Sequence, residues 1–132
     1  MKYYSLVFFV LLGFIAGCGN KQVGWSGTVV FSDDGSPVPR GVVIFSTPTF
    51  QSHGDIVEGK FTMSSYGPND GLPPGTYDVT ITAIDGEEMG SLYNLIDLKY
   101  GNPATSGLKT TVDKTVKNHE FKVDRNTAPR PK

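Results

Sequence analysis

One cysteine in 132 residues, Cys18, leaves no route to an internal disulfide, so a hydrophobic core must hold the fold. Histidine is nearly as scarce. His53 and His119 are the only two, they lack the spacing of a zinc ligand set, and no Gly-x-Ser-x-Gly nucleophile motif accompanies them. Neither sign of charge is in excess, with 12 Lys/Arg against 13 Asp/Glu. A nucleic-acid partner would call for a basic patch with interleaved aromatics, and the chain has none. It also lacks an apolar run long enough to span a membrane. Residues 5–15 are the longest run, and as a helix they would reach roughly 16 Å across a hydrocarbon core of about 30 Å. Beyond them no sustained helical period appears.

What the N-terminus does have is the layout of an export signal. Lys2 supplies the positive charge, residues 5–15 the apolar stretch, and Ala16 and Gly17 the small side chains a cleavage pocket needs. Ile15-Ala16-Gly17-Cys18 resembles the bacterial lipobox, whose cysteine sulfur is the nucleophile that accepts a diacylglyceryl group. The resemblance implies a signal helix over 1–17, cleavage before Cys18 and lipid attachment at Cys18. Each buried methylene contributes about 0.8 kcal/mol, and two or more chains hold stably where one is marginal. Acylation would also consume a thiol that is otherwise odd in an oxidising compartment. The expected division is a signal peptide at 1–17, a short tether at 18–23, one domain at 24–124 and a flexible basic tail at 125–132. The expected location is the cell membrane or outer membrane, lipid-anchored and facing the periplasm or exterior. About six residues between lipid and first strand would hold the domain within roughly 20 Å of the bilayer.

Cleavage would leave 115 residues, one domain's worth, with 14 glycines and 9 prolines. Strand signals recur between Gly, Pro, Asn and Asp clusters. Residues 25–31 and the apolar run 41–46 read as strands, the latter central. Residues 55–62 read as a hairpin about Glu58-Gly59. In 76–84, Tyr77, Val79, Ile81 and Ala83 alternate with Thr76, Asp78, Thr80 and Thr82, the pattern of a half-buried strand. Residues 108–112 and 119–123 read as a last pair joined by a short connection. Six or seven such strands predict an all-β fold, a seven-strand antiparallel β-sandwich. The segment 85–107 is too long for a tight turn, and its apolar residues predict a short helical turn or a cover over one end of the domain.

Several phrases also line up with a known family. Ser26-Gly-Thr-Val-Val-Phe31 and Asp34-Gly-Ser-Pro-Val-Pro-Arg-Gly-Val-Val-Ile-Phe45 resemble the opening of carboxypeptidase regulatory-like domains, which are prealbumin-like (transthyretin-like) sandwiches. Glu58-Gly-Lys-Phe61 is similar to their Asp-Gly-x-Phe hairpin, and Leu72-Pro-Pro-Gly-Thr-Tyr77 to their Leu-Pro-Pro-Gly-x-Tyr turn. Leu98-Lys-Tyr-Gly-Asn-Pro-Ala-Thr-Ser-Gly-Leu108 resembles a segment of small bacterial lipoproteins built on this domain. The resemblance covers roughly 24–123. It implies a non-catalytic structural or binding module with no cofactor. A transthyretin-like hydrolase shares the fold, but its Tyr-Arg-Gly-Ser signature is absent here.

The remaining candidates are modest. Tyr93 and Tyr100, with Trp25, offer rings for a sugar-stacking platform, which would make the module carbohydrate-binding through the 85–107 loop; the expectation set against it is core or edge packing for Trp25 and loop anchoring for Tyr100. Asp33, Asp34 and Asp70 lie on turns and are weak calcium candidates, although ordinary turns select the same residues. Glu87-Glu88 and the two histidines are the only material for acid/base chemistry, and none forms a recognisable set. The expected partners are membrane lipid through Cys18 and an envelope protein or glycan. A small hydrolase is the reading from another class.

Overall fold

The computed structural model describes residues 22–85, 93–115 and 118–128. Cys18, the signal segment and Glu87-Glu88 lie outside the described residues.

The fold is mostly β. In chain order the strands are β1 (Ser26–Phe31), β2 (Arg40–Ser46), β3 (Gln51–Val57), β4 (Lys60–Thr62), β5 (Gly75–Thr82), β6 (Ile84–Asp85), β7 (Tyr93–Asn94), β8 (Leu108–Val112) and β9 (Asn118–Val123). A 3-10 turn at Leu98–Gly101 and a single α-helical turn, α1 (Pro103–Ser106), precede β8. Seven strands form one sheet in the order β8-β5-β2-β3-β4-β1-β9, and β6 and β7 pair separately.

Local chemistry accounts for most of these elements. Glu58 and Gly59 both take positive φ, 51° and 78°, as a two-residue turn that matches strand twist requires. In β5 the side chains of Tyr77, Val79 and Ile81 are buried and Thr76 and Thr82 exposed, as the alternation predicts. Thr80 departs from it. The 3-10 turn and α1 pack against β5, and Thr80 is buried on the side expected to meet water. Residues 98–106 thus form two short helical turns against β5, the helical one of the two forms expected for the segment.

The expectation of a wholly antiparallel sheet is corrected. β9 runs parallel to β1, with Ser26 opposite Asn118 and Phe31 opposite Val123. β8 and β9 do not pair with each other. β8 lies antiparallel to β5, from Val79–Leu108 to Gly75–Val112. The direction follows from geography. β8 delivers the chain to the end of the sheet from which β1 sets out, so a strand placed beside β1 from there must run the same way.

That crossing also forces curvature. Val112 and Asn118 are six steps apart in the chain, at most about 20 Å. The two edge strands of a flat seven-strand sheet would stand about 29 Å apart, six spacings of about 4.8 Å. The sheet must therefore curl, and the core shows that it does. Phe45 of β2 and Phe121 of β9, four strands apart in the order, meet edge to face with ring centroids 6.1 Å apart. Trp25 packs on Phe45 at 5.0 Å, and Phe61 stacks on Phe121 at 6.1 Å.

The register gives the domain two ends. Val23, Ser26, Ser46, Thr62, Gly75, Val112 and Asn118 mark one, where Val23 and Leu72 exchange backbone hydrogen bonds of 2.8 and 3.1 Å. Phe31, Arg40, Val57, Thr82, Leu108 and Val123 mark the other.

Candidate functional site

Asp33 and Asp34 meet Arg125, of the expected tail, at the Phe31 end, where Tyr100 and Tyr93 bond Asp124 and Ala128. Arg125 lies with its guanidinium carbon 3.7 Å from the ring centroid of Phe31. Its Nε donates to Asp33 at 2.7 Å, and its Nη2 donates to Asp34 at 3.1 Å and to Ser36 Oγ at 2.9 Å. Next to it, Asp124 accepts from Ser32 Oγ at 2.5 Å and from Lys99 Nζ at 3.0 Å. Asn126 donates through its backbone to Leu95 O and through Nδ2 to Asn94 O, and Tyr93 OH donates to Ala128 O at 2.9 Å. The turn after β1, the 3-10 turn and residues 124–128 are thereby knitted together. Residues 129–132 lie outside the described residues.

Tyr100 and Trp25 take the packing roles expected for them rather than the stacking one. Tyr100 is only 6% exposed, and its hydroxyl accepts the Asp124 N–H at 3.1 Å. It anchors the helical turns and offers no open face for a sugar. Trp25, 1% exposed, is core, and its Nε1 has no hydrogen-bond partner among the described residues. Tyr93 is half-buried, with its hydroxyl engaged as above. The calcium candidates are also occupied: Asp33 and Asp34 face Arg125. Asp70, at the Val23 end, accepts the backbone N–H groups of Ser65, Tyr66 and Gly67. Among the described residues no cluster of metal-ligating side chains occurs.

The histidines are kept apart. His53 points outward from β3 and is exposed. His119 packs its ring 4.7 Å from Phe121 and 6.4 Å from Trp25, capping the core. Three strand spacings, about 14 Å, separate β3 from β9 in the sheet order. A shallow groove of about 470 Å³ is lined by Ser26, Thr28, Lys60, Thr62, His119 and Glu120, with Phe61 beneath. An adjoining hollow of about 340 Å³ is lined by His53, Asp55, Ser64 and Asn69 as well as Lys60 and Thr62. Their hydroxyl, imidazole and charged groups can hydrogen-bond a polar ligand.

No known family, curated protein or solved structure matches this chain.

The carboxylates of the two ends respond to these contacts. Hydrogen bonds from the Ser36 hydroxyl and N–H, with Arg125 nearby, hold Asp34 at about 2, below its ordinary 3.8. Asp124 is lowered chiefly by Ser32 and Lys99, and Asp70 chiefly by the Ser65 N–H. Groups depressed in the folded state contribute stability above their unfolded pKa and lose it as pH falls through the folded one. The urea midpoint is therefore expected to be level from about pH 7 to 5 and to fall between about pH 4 and 2. Asp34→Asn should make that fall shallower; an identical profile would show that the contacts of Asp34 with Ser36 and Arg125 contribute nothing.

Arg125 is the functional-looking residue that sequence reasoning missed. Its only advance signal was the Asp33-Asp34 pair, two carboxylates on one turn that call for a cation.

Proposed function

We propose that the chain is an exported, lipid-anchored envelope protein whose one domain, of the prealbumin-like sandwich kind, is a non-catalytic structural or binding module. The observation that carries the reading is the polarity of the domain. The chain enters at Val23, a few residues from the lipobox cysteine, and the cross-linked charged cluster around Arg125 lies at the opposite end. An anchored module would present such a fixed, charged end to the envelope. The separation of His53 from His119 supports a binding role over a hydrolytic one. The likeness of residues 24–123 to carboxypeptidase regulatory-like domains supports the module type.

Mass spectrometry of the mature N-terminus is expected to show a di- or triacylated Cys18. Cys18→Ser should move the protein from the detergent phase to the aqueous phase on partitioning. Unchanged partitioning would overturn the anchor.

A further inference from the structure

The loops at the two ends differ in chemistry. At the Val23 end, residues 47–50 carry no charge, and residues 63–74 carry one, Asp70. That carboxylate is turned back on to three N–H groups of its own loop. Tyr66 projects from the same loop, 80% exposed, with its ring 6.2 Å from that of Phe50. Lys114, in the turn after β8, is exposed at this end, and the neighbouring Asp113 accepts from Thr115.

We propose that this end docks on the surface of the bilayer that holds Cys18, with Tyr66 and Phe50 in the headgroup layer and Lys114 against anionic phosphates. The proposal rests on the lipid-anchor reading above. Its geometry comes from the tether. Val23 is already fixed to Leu72, so five steps of chain, about 17 Å, separate Cys18 from the folded domain. β2 alone, six steps long, makes the domain at least about 20 Å from end to end. A tether shorter than the domain cannot bring the Arg125 end down to the lipid. The chemistry agrees with the geometry. A tyrosine ring is apolar with a polar tip, the combination enriched at membrane–water interfaces. Uncharged loops lose little hydration on approach, and lysine is drawn to anionic lipid.

The test uses the full-length, processed protein in vesicles of phosphatidylethanolamine and phosphatidylglycerol. Once Cys18 is acylated, Thr49→Cys or Leu98→Cys carries the only thiol. Leu98, 68% exposed, lies at the Arg125 end and serves as the reference. Maleimide labelling of Thr49→Cys is expected to be about tenfold slower in vesicles than in micelles, as docking about nine-tenths of the time requires. Leu98→Cys should label equally in both. Adding Tyr66→Ser to Thr49→Cys should restore fast labelling. If the protein floats with vesicles but both thiols react alike, docking is overturned and the anchor stands. If it does not float, both are overturned. Protection in native membranes but not in protein-free vesicles overturns lipid docking in favour of a protein partner.

Discussion

Phe45→Ala is expected to destabilise the domain by about 3–5 kcal/mol. Phe45 is fully buried, and its ring meets Trp25, Phe61, Tyr77 and Phe121. Those four rings come from opposite sides of the curled sheet. Truncation removes the edge-to-face contacts and leaves a cavity that the surrounding strands, fixed by their hydrogen bonds, cannot close. For a domain near 100 residues each kcal/mol lowers the thermal midpoint by roughly 4–8 °C, so a fall of about 12 °C or more is expected. Phe45→Leu should fall by clearly less. Circular dichroism melts of the two variants measure this. A loss under about 1 kcal/mol for the alanine variant would mean that the two sides of the sheet do not share this ring.

Gly71→Ala is expected to be nearly as damaging, by a different mechanism. Gly71 has φ +82°, and an added Cβ would sit 2.0 Å from Val23 O and 2.5 Å from Val23 C. Both atoms are backbone, so neither can swing aside. The alanine must break the Val23–Leu72 pair, release the segment that carries Trp25 and hold a left-handed conformation that disfavours a side chain. Together these are expected to remove about 3 kcal/mol or more. Gly24→Ala, with nothing within 4 Å of the new carbon, is the control and should remain within about 1 kcal/mol of the parent. Denaturant titration gives the totals, and hydrogen exchange at Val23 and Leu72 reports the local release. A neutral Gly71→Ala would mean that Val23 is not clamped. The tether would then be longer than the docking geometry allows.

Much of the fold was legible along the chain because strand alternation and turn chemistry are local. Tyr77, Val79 and Ile81 declare their face by spacing alone, and Glu58-Gly59 declares a turn. Pairing is another matter. Nothing near Phe121 says that its strand belongs beside β1 rather than beside β8, because the partner that decides it lies about ninety residues upstream. The same distance hid Arg125. In a stretch of seven basic and three acidic residues from 108 to 132 it looked like part of a solvated tail, and its carboxylate partners sit on the first turn of the domain. Tyr100 shows the limit for aromatics. Its sequence context fits an exposed platform as well as an anchor, and only the packing of the helical turns against β5 turns it inward.

The parallel seam between β1 and β9 makes the order of assembly part of the fold. Ser26 pairs with Asn118, and closing a loop of that length costs about 4 kcal/mol from the logarithmic length dependence alone. On its other side β1 pairs three residues with β4, and backbone bonds to Gly35, Ser36, Val38 and Gly59 add to them. A chain fed through a narrow channel from its N-terminus therefore receives the partner for one whole side of its first strand only when its last strand emerges.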